Sequence, residues 1–177
     1  MSAIKLDAGA LFPKSEVPKF GGGVLTVGTP WGDNDWQLVI VYRGKHCPIC
    51  TSYLDTLNEL LPKFNELGVD VIAVSADTQE RATLQLADIK TDFAVGYDMS
   101  IEQMQSLGLY IFDPRSDKDS DRPFPEPGLF MINEQGNIQI IDISNAPFAR
   151  PDLNVILGGA GFVRNPENNY PIRGMHK

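Results

Sequence analysis

The chain has 177 residues, 42% of them hydrophobic, with 23 acidic against 15 basic side chains and a formal net charge of −8. That length and apolar content suffice for one sizeable core, and two cysteines three residues apart exclude a disulfide framework. The acidic balance disfavours nucleic acid, and with no signal-peptide pattern in Met1 to Leu11 and no apolar stretch of membrane-spanning length, a cytoplasmic protein acting away from membranes is expected.

In chain order, an irregular start leads to Gly21-Gly22-Gly23 and a short strand, Val24 to Val27. Turn-forming residues from Thr29 to Asp35 join it to Gln37 through Tyr42, a buried strand, and the two strands are expected to make an N-terminal hairpin. Arg43-Gly44-Lys45-His46 reads as a turn and the segment from about Pro48 as a helix, with Leu54, Leu57, Leu61 and Phe64 on one apolar stripe. Pro62 predicts a kink or a second helical piece. Gly68 ends the element, and Val69 to Ser75 is a second core strand, parallel to the first through a right-handed crossover.

Asp77 or Thr78 caps a helix running to about Ile89, with Ser75 and Asp77 read simply as strand end and cap. A short strand over Phe93 to Gly96 follows, then a short helix capped by Ser100 and carrying Ile101, Met104 and Leu107. The charged and serine-rich stretch Asp113 to Arg122 reads as a solvated loop. Gly128 to Asn133 and Asn137 to Asp142 flank Glu134-Gln135-Gly136 as an antiparallel hairpin, and Asp152 caps a last helix. With no repeat or linker, residues 1–177 are read as one domain, with a core over about 20–162 and a surface tail over 163–177.

The chemistry concentrates in Cys47-Pro48-Ile49-Cys50, which holds both cysteines at the junction of strand and helix. Unpaired N–H groups and the positive end of the helix dipole stabilise thiolate over thiol there. A structural zinc needs four ligands, and only His46, Cys47, Cys50 and the remote His176 are on offer, without a second CxxC. His46 is either a charge or proton partner for a cysteine or an exposed loop residue. Trp31, Trp36, Tyr42 and Tyr53 read as packing residues.

Strand, CxxC, helix, strand, helix and closing hairpin together resemble the thioredoxin fold. The segment from Val41 to Cys50 resembles the Y-R-G-x-x-C-P-x-C segment of peroxiredoxin-like members of the AhpC/TSA (alkyl hydroperoxide reductase and thiol-specific antioxidant) family, and Val74-Ser75-Ala76-Asp77 resembles the V-S-x-D of their next strand. Pro127 to Gly136 is similar to the redoxin hairpin P-x-x-F-x-I-D-x-x-G, whose proline is cis and lies against the active cysteines. The resemblance implies an α/β thioredoxin-like (peroxiredoxin-like) fold with a central mixed β-sheet flanked by helices and an N-terminal β-hairpin extension. It implies Cys47 and Cys50 as catalytic, Arg43, His46, Pro48 and Pro127 as substrate-binding or pKa-tuning, Pro127 cis, and no cofactor or metal.

Aligned on Cys50, the family's proline slot holds Arg43, its threonine slot holds Cys47 and its distant arginine slot falls near Pro127. Arg43 is therefore a candidate for the missing cation. Peroxide reduction through a Cys47/Cys50 redox pair is the leading functional reading, protein disulfide reduction by the same CxxC the alternative, and a weakly catalytic scaffold for binding or redox sensing the third. The implied partners are a peroxide or disulfide substrate and an external thiol reductant, thioredoxin- or glutathione-like, and the resemblance is compatible with a homodimer.

Overall fold

The computed structural model describes residues 4–177, so the first three positions of the Met1 to Leu11 segment lie outside it. Ser15–Pro18 (β1) and Val24–Val27 (β2) pair antiparallel across Gly21, Gly22 and Gly23, all at positive φ, where glycine carries no steric penalty. The N-terminal hairpin is thus present, but its strands are β1 and β2 rather than β2 and the next strand. Trp36–Val41 (β3) has both edges occupied by other strands, so β2 does not pair with it; the segment after β2 is tied to β3 through Gln37, whose side chain accepts the Gly28 N–H at 2.7 Å and donates to the Thr29 carbonyl at 2.9 Å.

Proline at its start and the leucine stripe make Pro48–Glu66 (α1) a 19-residue helix. Pro62 neither breaks nor divides it. It sits on the exposed side of the last turn, while Leu61 and Phe64 on either side hold that turn in the core. Val69–Val74 (β4), Gln79–Leu86 (α2), Ala94–Gly96 (β5) and Ile101–Ser106 (α3) follow. Thr78, not Asp77, caps α2, accepting the Arg81 N–H, and α2 ends short of Ile89.

Ile111–Phe112 (β6) and Phe124–Pro125 (β7) pair as a small ribbon that the sequence did not signal, each strand being two residues long. The loop between them is largely exposed, as expected, yet it is tethered: Arg81 Nη2 donates to the Asp119 carbonyl at 3.0 Å and Arg122 pairs with Asp98 at 2.8 Å. Gly128–Ile132 (β8) and Ile138–Ile143 (β9) form the closing hairpin, and Asp152 caps Leu153–Arg164 (α4).

The central sheet has the order β5-β4-β3-β8-β9, with β3, β4 and β5 parallel and β8 and β9 antiparallel. Alternation along β3 serves two cores. Leu38, Ile40 and Tyr42 meet α1 and α4, whereas Val39 and Val41 meet the N-terminal hairpin and α3. This is the expected mixed sheet flanked by helices. Leu57 is wholly buried between α1 and the sheet. Leu57→Ala is expected to lower unfolding stability by about 2–5 kcal/mol, read from the midpoint of a denaturant titration at unchanged slope.

Candidate active site

Strand β3 ends in the middle of the sheet, and the chain reverses through Arg43 to His46 to start α1 on one face. Asp77, only 1% exposed, holds that reversal: its Oδ2 accepts the Lys45 N–H at 2.7 Å and its Oδ1 pairs with Arg81 Nε at 3.2 Å. Gly44 stands at φ +134°, and a Cβ there would lie 2.6 Å from Asp77 Oδ1, so this turn requires glycine. The residue read as a helix cap is instead the brace of the CxxC loop.

Cys47 is the N-cap of α1, and its sulfur accepts the Cys50 N–H at 3.3 Å. The two cysteines are not bridged and stand in opposite electrostatic states. Cys47 is lowered to about 6, chiefly because the Cys50 thiol donates to its sulfur, with the Cys50 N–H and the Arg43 guanidinium adding to this and burial opposing it. Cys50 is held far above the ordinary thiol range by that same sulfur–sulfur hydrogen bond and then by burial. Cys47 keeps 2% exposure and Cys50 none, while Pro48 and Ile49 between them face solvent. The arrangement therefore sets one thiolate just under the surface over one protonated thiol deeper in the core.

A separate cation serves each sulfur. Arg43 lies beside Cys47, packs 5.1 Å above the Phe124 ring and pairs with Glu126 at 3.1 Å. Arg150, from the loop before α4, donates from Nη2 to the Cys50 sulfur at 3.3 Å. It is aimed by the Pro147 carbonyl, 2.7 Å from its Nε, and by the Tyr53 ring, 4.8 Å below its guanidinium. Tyr53 is anchored in turn by its hydroxyl, which donates to the Pro151 carbonyl at 2.6 Å. Its reading as a packing residue is too narrow, since it orients the arginine that reaches Cys50.

The sequence-selected residues Arg43, Pro48, Cys47 and Cys50 converge at one point. His46 is beside them in the chain, but its ring packs against Phe124 with centroids 4.4 Å apart, and neither nitrogen has a hydrogen-bond partner among the described residues. Burial and the neighbouring Arg43 charge lower its pKa, so it is a neutral imidazole at pH 7 rather than a source of positive charge. Pro127 lines a crevice with Tyr53 and Arg150, one residue before Gly128, which is opposite Val41 in the sheet. No cis peptide bond occurs among the described residues, so the expected cis Pro127 is trans. The extended course from β7 into β8, with the Glu126 N–H donating to the Tyr110 carbonyl at 2.8 Å, is satisfied by the ordinary isomer. Arg150 and Glu126 escaped the sequence reading, because only the packing of α4 and β7 on the sheet brings them to the cysteines.

A central mixed sheet with a reduced CxxC capping the helix after its middle strand defines a thioredoxin-like redoxin. The sequence matches the AhpC/TSA family over residues 8–141, and the chain belongs to that family. It is 28% identical over 100 residues to the thiol-disulfide oxidoreductase ResA of Bacillus thuringiensis, an alignment covering 55% of this chain and 49% of that protein. The chain thus spans about half the length of its ResA relatives. It is 24% identical over 146 residues to the probable peroxiredoxin prdx-3 of Caenorhabditis elegans, covering 79% and 64% of the two chains. In fold it matches a cysteine-to-serine mutant of peroxiredoxin 6 of Arenicola marina with a TM-score of 0.76 at 20% identity, over 92% of this chain and 76% of that one.

Alkylation by iodoacetamide is expected to mark Cys47 first, its rate rising about tenfold per pH unit up to a plateau beginning near pH 6. Arg43→Gln removes the adjacent cation and is expected to move that midpoint upward by about one unit. Folding lowers the Cys47 pKa, so the native state holds fewer protons here than the unfolded chain. This cysteine's contribution to stability is therefore present above the unfolded thiol pKa and fades as pH falls toward 6.

Proposed function

We propose that the chain is a thiol-dependent oxidoreductase that exchanges disulfides, with Cys47 as the attacking thiol. The observation that carries this reading is the N-cap hydrogen bond from the Cys50 N–H to the Cys47 sulfur, 3.3 Å, on the cysteine that retains some exposure. The Cys47 thiolate attacks one sulfur of a substrate disulfide, forming a mixed disulfide and releasing the other sulfur as thiolate. Cys50 then loses its proton and attacks the Cys47 sulfur, which closes the enzyme disulfide and frees the second substrate thiolate. Arg150, 3.3 Å from Cys50, stabilises the charge that develops in that second step. Pro48 at the first helical position and Pro127 beside Tyr53 and Arg150 serve as rigid walls, and His46 as a neutral neighbour. An external dithiol or glutathione-like thiol reopens the disulfide. The name of the ResA relatives, thiol-disulfide oxidoreductase, agrees with this chemistry.

One observation favours peroxide reduction as a second reading: the cation absent from its expected slot near Pro127 is replaced by Arg150, in contact with Cys50, the position aligned with the peroxidatic cysteine. In that scheme the Cys50 thiolate would break the O–O bond, release water or an alcohol and become a sulfenic acid, and Cys47 would condense with it, releasing water. The complete burial of Cys50 and its firmly held proton weigh against it. An inert scaffold is disfavoured by the acidified Cys47 at the outer end of the pair. No described helix is long and apolar enough to cross a membrane.

Reduction of insulin disulfides by the dithiol form is expected to be abolished in Cys47→Ser, while Cys50→Ser stalls as a mixed disulfide detectable by mass. Arg150→Ala is expected to slow the closing step while leaving Cys47 alkylation unchanged. Stopped-flow oxidation by hydrogen peroxide faster than free cysteine, kept in Cys47→Ser and lost in Cys50→Ser, would replace the exchange reading with the peroxidase one.

A further inference from the structure

Glu126 has no task in the exchange scheme, yet with Asp77 it is one of the few charged side chains buried among the described residues, 5% exposed at the head of the β8 hairpin. Its backbone is fixed by the N–H bond to the Tyr110 carbonyl. Its Oε2 lies 3.1 Å from Arg43 Nε, an ion-pair distance, but without the alignment of a hydrogen bond, so neither atom is satisfied by the other. Arg43, from the turn after β3, is in direct contact with it, and the charges of Cys47 at the start of α1 and Arg150 in the loop before α4 also act on it. Arg43 is thus shared between a carboxylate and a thiolate, both acidic and both buried.

We propose that Glu126 is a positioning residue coupled to Cys47 through their shared Arg43, holding its proton more tightly while Cys47 is a thiolate and releasing it when Cys47 enters a disulfide. The inference rests on the exchange reading for the cycle in which it operates. Two anions beside one cation repel each other, and each therefore raises the other's affinity for protons. Burial raises the Glu126 pKa, Arg43 counters it, and the negative sulfur of Cys47 raises it further.

Conversion of Cys47 thiolate and Cys50 thiol to the disulfide removes two electrons and one proton, the proton coming from Cys50. The substrate disulfide takes the two electrons and needs two protons to leave as two thiols. Where Glu126 is protonated beside the thiolate, the loss of sulfur charge on oxidation lets the carboxyl release the second proton, and the Glu126 carboxylate then pairs with Arg43 alone. The dithiol form would so carry both protons that its substrate requires.

Glu126→Gln separates this role from a merely structural one. The substitution removes the carboxyl whose ionisation competes with that of Cys47 for Arg43 and leaves Arg43 to the sulfur alone, so the alkylation midpoint of Cys47 should fall by about one unit. If Glu126 only braced Arg43, its loss would raise the midpoint or leave it where it was, and either result would overturn the proposal. The Cys47/Cys50 reduction potential should also vary less steeply with pH in the variant than in the wild type. A measurement that needs no Glu126 variant is a carbon-13 titration of the Glu126 carboxyl in the dithiol and disulfide forms of the wild type. A lower midpoint in the disulfide form supports the coupling, and equal midpoints overturn it. Both readouts are independent of turnover, so a chain that shows these shifts but reduces no insulin would sink the exchange reading alone.

Discussion

The hydrogen bond from the Cys50 N–H to the Cys47 sulfur is the contact on which the site depends. A helix start leaves several N–H groups without partners, and the side chain that caps them gains most when it is negative. Placing a cysteine in that position converts an ordinary structural need of α1 into a reason for the sulfur to shed its proton. The same geometry puts the second cysteine one turn along, beneath the first, where its S–H hydrogen-bonds to the thiolate and so keeps its single proton. The asymmetry between two chemically identical residues thus follows from which of them is the cap.

For that cap to form, the chain must leave β3 and reverse within a few residues, and Asp77 makes the reversal definite. It accepts the Lys45 N–H from a strand end 32 residues away and leaves space only for glycine at position 44. A buried carboxylate is costly unless paired, and Arg81 pairs it while reaching onward to the loop at Asp119. The expected solvated loop is therefore fastened to the same network that shapes the CxxC turn.

Electrostatics at the site run against those of the whole chain. The net charge is −8, yet Arg43 and Arg150 converge on two sulfurs, each arginine oriented by an aromatic face, Phe124 for one and Tyr53 for the other. Rigid, partly desolvated guanidinium groups stabilise a developing thiolate more than mobile surface lysines would. One of them, Arg43, also lies 3.1 Å from the buried Glu126 carboxyl.

Local pattern sufficed for much of this protein. Alternating and continuous apolar runs located β3, β4 and the β8–β9 hairpin, the leucine stripe located α1, and the placement of the CxxC after a buried strand located the site, because each of these signals lies within a few consecutive residues. Pairing partners and distant charges were not legible in the same way. β2 joined β1 because three glycines allowed the nearer reversal, Pro127 stayed trans because the path from β7 runs extended, and Pro62 stayed inside α1 because its flanks are buried. Arg150 stands 100 residues from the sulfur it contacts, and nothing in its own neighbourhood distinguishes it from any arginine before a helix cap. Only the packing of α4 against α1 on the face of the sheet closes that distance. The residue types thus determined that there would be a thiolate at a helix start, and the tertiary structure decided which cysteine it is and which cations and acid attend it, since burial and charge act through space rather than along the chain.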